Sequence, residues 1–366
     1  MKKLTLTALL ICAVCSTGMA APKKNIVKAN DDAVRYTGRT LVAEDGSVSY
    51  DWVGTYFETT LTGGSLDLRL SETGRSFYNV FVDGKPHRVV EASGNDTIIN
   101  FVSGISKGKH DIRIQKRTEG EYGKLTIKEF VLNSGGKLTA TPKTRTRHIE
   151  FIGDSFTCGY GTEGKNKKER FKLETENCNL SYSTIIPRYF NADYTLVAHS
   201  GFGAVRNYGD KKRVSDITMT TKMFQTFDTD TVIKWDFKKY TPDLVIINLG
   251  TNDFSLEPDP YKSEFVKGYK KLLKQLRDAY GKDVKILCVY CCSFPADVLD
   301  FYEDAVKEMN DKNIHLVKMQ RNLWNPDVDY GSDYHPNYSA HRKMAMQIVP
   351  YISTLLDLPL SDKPIE

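Results

Sequence analysis

This 366-residue chain has no excess of one charge, no apolar run beyond its N-terminus long enough to read as a membrane helix, and no second half for its one zinc-like cysteine cluster. Lys and Arg number 51 against 46 Asp and Glu, a formal net charge of +5 to which Lys2 and Lys3 contribute two. Interleaved with acids over this length, that balance describes a solvated surface and gives no footprint for nucleic acid. "CVYCC", Cys288 to Cys292, resembles half of a zinc site, but no second CxxC or HxxxH accompanies it, so neither metal nor other cofactor is expected. These cysteines read as small apolar residues ending a buried strand. With Cys158 and Cys178 they form an odd set once Cys12 and Cys15 are removed with a leader. One thiol at least then stays unpaired, and a Cys158–Cys178 disulfide is left open.

The leader is legible at the N-terminus. Lys2 and Lys3 precede an apolar run, Leu4 to Val14, followed by small residues with Gly18 and Ala20 at the −3 and −1 positions. Residues 1–20 are therefore expected to be a signal peptide cleaved after Ala20, with export to the periplasm or the medium. No membrane attachment is expected after cleavage.

Two textures divide the rest, and 40% hydrophobic residues suffice for two cores. In the first half Leu66, Leu68 and Leu70 alternate with Ser65, Asp67 and Arg69, and Ile112 and Ile114 with Asp111, Arg113 and Gln115. Asp83-Gly84 marks a hairpin turn. Residues 21–133 thus read as an all-β, jelly-roll-like antiparallel sandwich, and the small, polar and basic stretch 134–147 as a linker.

From 148 to 366 apolar runs alternate with helical stripes. Strands are expected at His148–Ile152, Tyr194–Ala198, Leu244–Leu249, Val284–Tyr290 and Ile314–Met319. Helices are expected at Tyr261–Tyr280 and Ala340–Leu356. The pattern predicts a flavodoxin-like α/β domain, a parallel sheet with helices on both faces. Ligands of such sheets lie beyond the carboxyl ends of the strands.

Three polar groups fall there. "IGDSFTCGYG" places Ser155 where the first strand breaks, "NLGTNDF" places Asn252 after the third, and "GSDYHPN" places His335 in a loop before the last helix. A serine hydroxyl attacks only when a base takes its proton, and imidazole titrates in the right range. The developing oxyanion needs donors already aimed at it. The Ser155 N–H, the Asn252 amide and an N–H from "HSGFG" would supply them, Gly201 being the choice there and Gly203 the alternative. Asp154 and Asp253 are read as holding turns beside the site, His199 and His341 as structural. Tyr160 and Trp324, in loops near these segments, are candidates to stack an aromatic face on a ligand ring. The lysine-rich segment "GKNKKERFK" is either a solvated loop or one wall of a cleft.

The blocks "GDSFT", "SGFG", "GTND" and "DYHPN" in this order resemble the SGNH, or GDSL-like, hydrolases. Ser155 and Asn252 are 97 residues apart, and His335 lies 83 further on. With "VRYTGRT", "YNVFVDGK" and "GISKGKHDIRIQKRTEG" ahead of them, the chain resembles the family 2 carbohydrate esterases. That resemblance implies a β-sandwich followed by an SGNH domain, and a serine esterase that removes acetyl groups from xylan and related polysaccharides. It makes Ser155 the nucleophile, His335 the base, and Gly201 and Asn252 oxyanion donors. The aspartate that SGNH hydrolases generally carry three residues before the histidine is Ser332 here, and Asp333 stands two before; the carbohydrate esterases vary at this point. Either the Asp333 carboxylate or a backbone carbonyl would then orient His335. Esters of longer acids, acetylated peptidoglycan, and glycan binding without catalysis remain as alternatives; oligomeric state is not read from the sequence.

Overall fold

The computed structural model describes residues 24–320 and 322–366, so the expected signal peptide lies outside the described residues. The first half forms ten strands in one sheet. They are β1 (Asn25–Lys28), β2 (Arg35–Thr37), β3 (Leu41–Val42), β4 (Val48–Tyr50), β5 (Tyr56–Thr62), β6 (Leu66–Val82), β7 (Lys85–Val102), β8 (Lys109–Lys116), β9 (Leu125–Leu132) and β10 (Lys137–Thr139). Neighbours run β10-β5-β8-β6-β9-β4-β3, and the pairings are antiparallel. The two layers come from one sheet that curls: β6 pairs with β7 through several register shifts, and each irregularity bends the strand and adds twist. Leu66, Leu68, Leu70, Ile112 and Ile114 point inward to a shared core, as their alternation requires. Lys137–Thr139, within the segment read as linker, adds an edge strand to β5.

The second half builds a parallel sheet from β11 (His148–Gly153), β12 (Asp193–Ala198), β13 (Leu244–Asn248), β14 (Lys285–Tyr290) and β15 (Ile314–Lys318), in the order β12-β11-β13-β14-β15. Its three inner strands are buried nearly throughout, which requires cover on both faces. That cover includes α2 (Tyr182–Phe190) packed with α6 (Tyr338–Leu356), and α4 (Lys262–Tyr280) packed with α5 (Leu299–Lys307). Short α1 (Ser155–Cys158) and α3 (Met219–Lys222) complete the set. The α4 stripe is buried as its spacing demands, but Tyr261 caps the helix rather than joining it, its N–H donating to Glu264 Oε2 at 2.9 Å. α6 begins at Tyr338, two residues before the apolar periodicity, because Asn337 Oδ1 accepts the Ala340 N–H. β11 lies between β12 and β13, so the chain leaves it first to one side and later to the other. The carboxyl ends of these three strands flank the crevice where such sheets hold ligands.

The two halves share buried surface. Trp52, Val53 and Tyr56 of the first join the core of the second. Arg39, fully buried, donates to the carbonyls of Met223 and Gln225 at 2.6 and 2.8 Å and lies 3.7 Å from Glu150, among the rings of Trp52, Trp235 and Phe237. Removing one member of such a pair strands the other charge, so Arg39→Ala is expected to cost about 3–5 kcal/mol, read as a lower urea midpoint. An unchanged midpoint would show that the latch contributes nothing net.

Candidate active site

β11 ends at Gly153, where a Cβ would stand 2.0 Å from Thr157 Oγ1; only glycine lets α1 turn back this tightly. Asp154 caps α1, its Oδ1 accepting the Phe156 N–H at 3.1 Å. Burial holds this carboxyl well above the usual carboxylate range, against that hydrogen bond. Ser155, the first helical residue, presents Oγ 2.9 Å from His335 Nε2. The imidazole's other nitrogen, Nδ1, lies 3.0 Å from the backbone carbonyl of Asp333. A carbonyl only accepts, so Nδ1 carries the proton and Nε2 offers its lone pair to the serine hydroxyl. The pair is therefore poised for proton transfer from oxygen to nitrogen.

The carbonyl reaches the ring because Asp333 and Tyr334 are both left-handed, with φ of 48° and 59°. Two successive non-glycine residues in that region cost about 1–3 kcal/mol each, and the surroundings must hold them. They do so with the Asp333 N–H on Glu169 O at 2.8 Å and the Tyr334 N–H on Lys167 O at 3.2 Å. The Asp333 carboxylate points elsewhere: it accepts the Phe171 N–H at 2.8 Å and pairs with Arg170 at 3.0 Å. Of the two ways of orienting His335 left open by the sequence, the geometry takes the carbonyl. It is the main chain of Asp333, not its carboxylate, that meets the His335 ring.

The lysine-rich loop, with Lys165, Lys168, Arg170 and Lys172 exposed, thus braces the histidine turn through its backbone. Phe171 from that loop stacks on Tyr160 with centroids 3.9 Å apart, and Tyr160 in turn lies 4.3 Å from the His335 ring. Trp324 packs on Phe156, the residue after the serine, and on Tyr330.

The remaining polar groups come from the loops after β12 and β13. Gly201 has φ of 81°, and among the described residues neither its N–H nor that of Ser155 has a hydrogen-bond acceptor. The Gly203 N–H is already given to Asn207 Oδ1 at 3.2 Å, which separates the two candidate glycines. Asn252 Nδ2 donates to Phe202 O at 2.9 Å and lies 3.3 Å from Asp154 Oδ2. Asp253 ties the two loops together, accepting the N–H groups of Ala204, Val205 and Arg206 at 3.1, 2.7 and 3.0 Å; burial raises its carboxyl to about 6.

His341 is a neutral core residue: burial lowers it to about 3, and neither ring nitrogen has a partner among the described residues. His199 pairs with buried Asp228 at 2.8 Å, and Lys222 reaches the same carboxylate. Cys158 and Cys178 are free, buried thiols, so the disulfide left open by the sequence is not formed. Ligand atoms of Glu119, Cys158 and Glu176 lie within 4.8 Å of one another. They suit a metal poorly, because burial holds the Cys158 thiol far above its ordinary value and Glu119 already accepts hydrogen bonds from Ser200. The Glu119–Ser200 contact had no sequence signal, since it joins positions 81 residues apart in different halves.

Burial lowers His335, opposed by the hydrogen bond to the Asp333 carbonyl. A ring that is to take the serine proton must be neutral, so a site working this way loses activity as pH falls through the imidazole midpoint. The acid limb of kcat/KM is expected below the ordinary histidine value of about 6.5. A limb at or above that value would mean that solvent, not burial, sets the base.

The model of the "Carbohydrate esterase 2 N-terminal" family matches residues 36–142, and that of the "GDSL-like Lipase/Acylhydrolase family" matches 151–343. The chain is 32% identical to the cellulase/esterase CelE of Acetivibrio thermocellus over 89% of its own length and 40% of that protein. It is 24% identical to an acetylxylan esterase/glucomannan deacetylase of Cellvibrio japonicus, over 97% of this chain and 98% of the relative. Its fold superposes on that of a family two carbohydrate esterase from Clostridium thermocellum in complex with cellohexaose. The TM-score there is 0.80 at 31% identity, covering 89% of this chain and all of the other.

Proposed function

Because the chain belongs to the GDSL-like lipase/acylhydrolase family in its carbohydrate esterase 2 form, we propose that it removes O-acetyl groups from plant polysaccharide, xylan or a related hemicellulose, through an acetyl-serine. The observation that carries the reading is the 2.9 Å approach of Ser155 Oγ to a His335 Nε2 whose lone pair is fixed by the Asp333 carbonyl. Proton transfer to Nε2 lets Oγ add to the acetyl carbonyl. The Ser155 and Gly201 N–H groups and the Asn252 amide stabilise the oxyanion, each donor being worth on the order of 3 kcal/mol. The long 3.3 Å contact of Asn252 to Asp154 is the one an oxyanion would replace. Collapse expels the sugar alkoxide, which takes the proton from His335. Water then adds to the acetyl-enzyme with the same base and releases acetate. No step calls for a metal or an organic cofactor.

The acetylated glycan is the partner the site calls for, and relatives named for acetylxylan and glucomannan support that choice of class. Trp324, half-buried beside Phe156, is the better placed of the two aromatic candidates for a sugar ring, since Tyr160 is occupied by Phe171 and His335. Among the described residues no helix is long and apolar enough to cross a membrane. The N-terminal signature makes export part of the proposal.

The test is acetate release by the purified protein from acetylated xylan, glucomannan and peptidoglycan. Faster release from the two plant polymers supports the reading. Peptidoglycan as the preferred substrate, or glycan binding without acetate release, would overturn it.

A further inference from the structure

Glu119 follows β8 in the β domain, yet its fully buried carboxylate closes on a loop of the other domain. One oxygen accepts the Ser200 N–H at 2.6 Å, and the other accepts the Ser200 hydroxyl. The Glu119 N–H in turn donates to Glu176 Oε2 at 3.2 Å, which fixes the backbone from which the side chain projects. Ser200 immediately precedes Gly201, whose carbonyl accepts the Tyr208 N–H at 2.8 Å. The peptide group carrying the Gly201 N–H is thus held upstream by Glu119 and downstream by Tyr208.

We propose that Glu119 is a positioning residue for ester hydrolysis: its two-point grip on Ser200 holds the Gly201 N–H where the oxyanion forms, so that the β domain completes the active site. This rests on the reading of Gly201 as an oxyanion donor. Three observations favour it over a role in domain docking alone. First, the halves are joined away from this loop by Arg39 and by Tyr56 on Asp193 at 2.6 Å. Second, burying a carboxyl group is costly, and two hydrogen bonds from it are spent on the single half-buried serine that precedes Gly201. Third, Gly201 has a left-handed φ, and nothing stands within 4 Å of where its Cβ would be. The grip on its neighbour then substitutes for the packing that Gly201 itself lacks. A donor displaced by a fraction of an ångström still binds substrate but stabilises the transition state less, so the loss belongs in kcat.

Glu119→Ala, Glu119→Gln, Ser200→Ala and Ser155→Ala are to be compared with the parent protein on an aryl acetate, with thermal melting as a check on folding. Glu119→Ala is expected to lower kcat about 30-fold while KM stays within about threefold. Glu119→Gln keeps an acceptor for the Ser200 N–H and a donor for its hydroxyl, and is expected to restore kcat to within about fivefold of the parent. Ser200→Ala keeps only the N–H contact and should lose about fivefold in kcat at constant KM. A folded Glu119→Ala with the parent's kcat overturns the proposal. So does a loss that Glu119→Gln does not restore. Should Glu119→Ala fail to fold, Ser200→Ala decides, its unchanged kcat overturning the proposal. Ser155→Ala separates the two levels of failure. Full activity there removes the serine assignment itself, whereas an inactive Ser155→Ala beside unaffected Glu119 and Ser200 variants removes only the positioning role.

Discussion

Ser155→Ala is expected to abolish acetate release from an aryl acetate and from acetylated glycan, lowering kcat by about 10³-fold or more. Among the described residues this hydroxyl is placed to give up its proton, lying 2.9 Å from a nitrogen that can take it, while His199 is engaged by Asp228 and His341 is sealed in the core. The fold hardly depends on it. Asp154 caps α1 independently of the serine side chain, and among the described residues the hydrogen-bond partner of Ser155 Oγ is His335 alone. Loss of that one hydrogen bond should move stability by no more than about 1 kcal/mol. Activity and melting temperature must therefore separate, the first collapsing while the second holds. A variant that melts like the parent yet hydrolyses like it would require another nucleophile.

His335→Ala carries the second large effect, again about 10³-fold in kcat, because without Nε2 the serine proton has no acceptor. Its informative companion is Asp333→Asn. In a triad whose carboxylate holds the histidine tautomer, the change from aspartate to asparagine costs about 10⁴-fold, equivalent to about 5.5 kcal/mol. Here the group that touches Nδ1 is a main-chain carbonyl, which asparagine keeps. Asparagine also tolerates the left-handed φ of 48° that aims this carbonyl. What is lost is charge on the contacts to Phe171 and Arg170, one step away from the ring. Asp333→Asn is accordingly expected to retain kcat within about tenfold of the parent. Losses of the same size in His335→Ala and Asp333→Asn would place a carboxylate in the proton path after all.

The contrast between these two residues also marks how far the sequence could be read. His335, Ser155 and Asn252 were legible because each follows an apolar strand or precedes a helix, and such positions converge at one edge of a parallel sheet whatever the loops do. The role of Asp333 was not. It depends on the dihedrals of Asp333 and Tyr334, which Glu169 and Lys167 impose from a loop that composition alone marks as solvated. Glu119 was invisible for a different reason: a carboxylate at the end of a β-domain strand has no local signature for a contact across the domain interface. Local rules also misplaced small things. Lys137–Thr139 is too short to display a period, with Leu138 its one apolar residue, yet it pairs with β5 because the sheet edge offers unpaired backbone groups. The two-layered β domain was expected from its short period-two runs, whereas the single curled sheet that produces it depends on irregularities between β6 and β7.

The claim on which all of this depends is that Ser155 is acetylated during turnover, and trapping the intermediate tests it most directly. The protein is mixed with an excess of aryl acetate, quenched in acid within the first turnovers, digested and sequenced by mass spectrometry. The predicted result is one acetyl group on Ser155, absent from Ser155→Ala and from unreacted protein. Steady hydrolysis with Ser155 unmodified, or an acetyl group carried by a different residue, would contradict it.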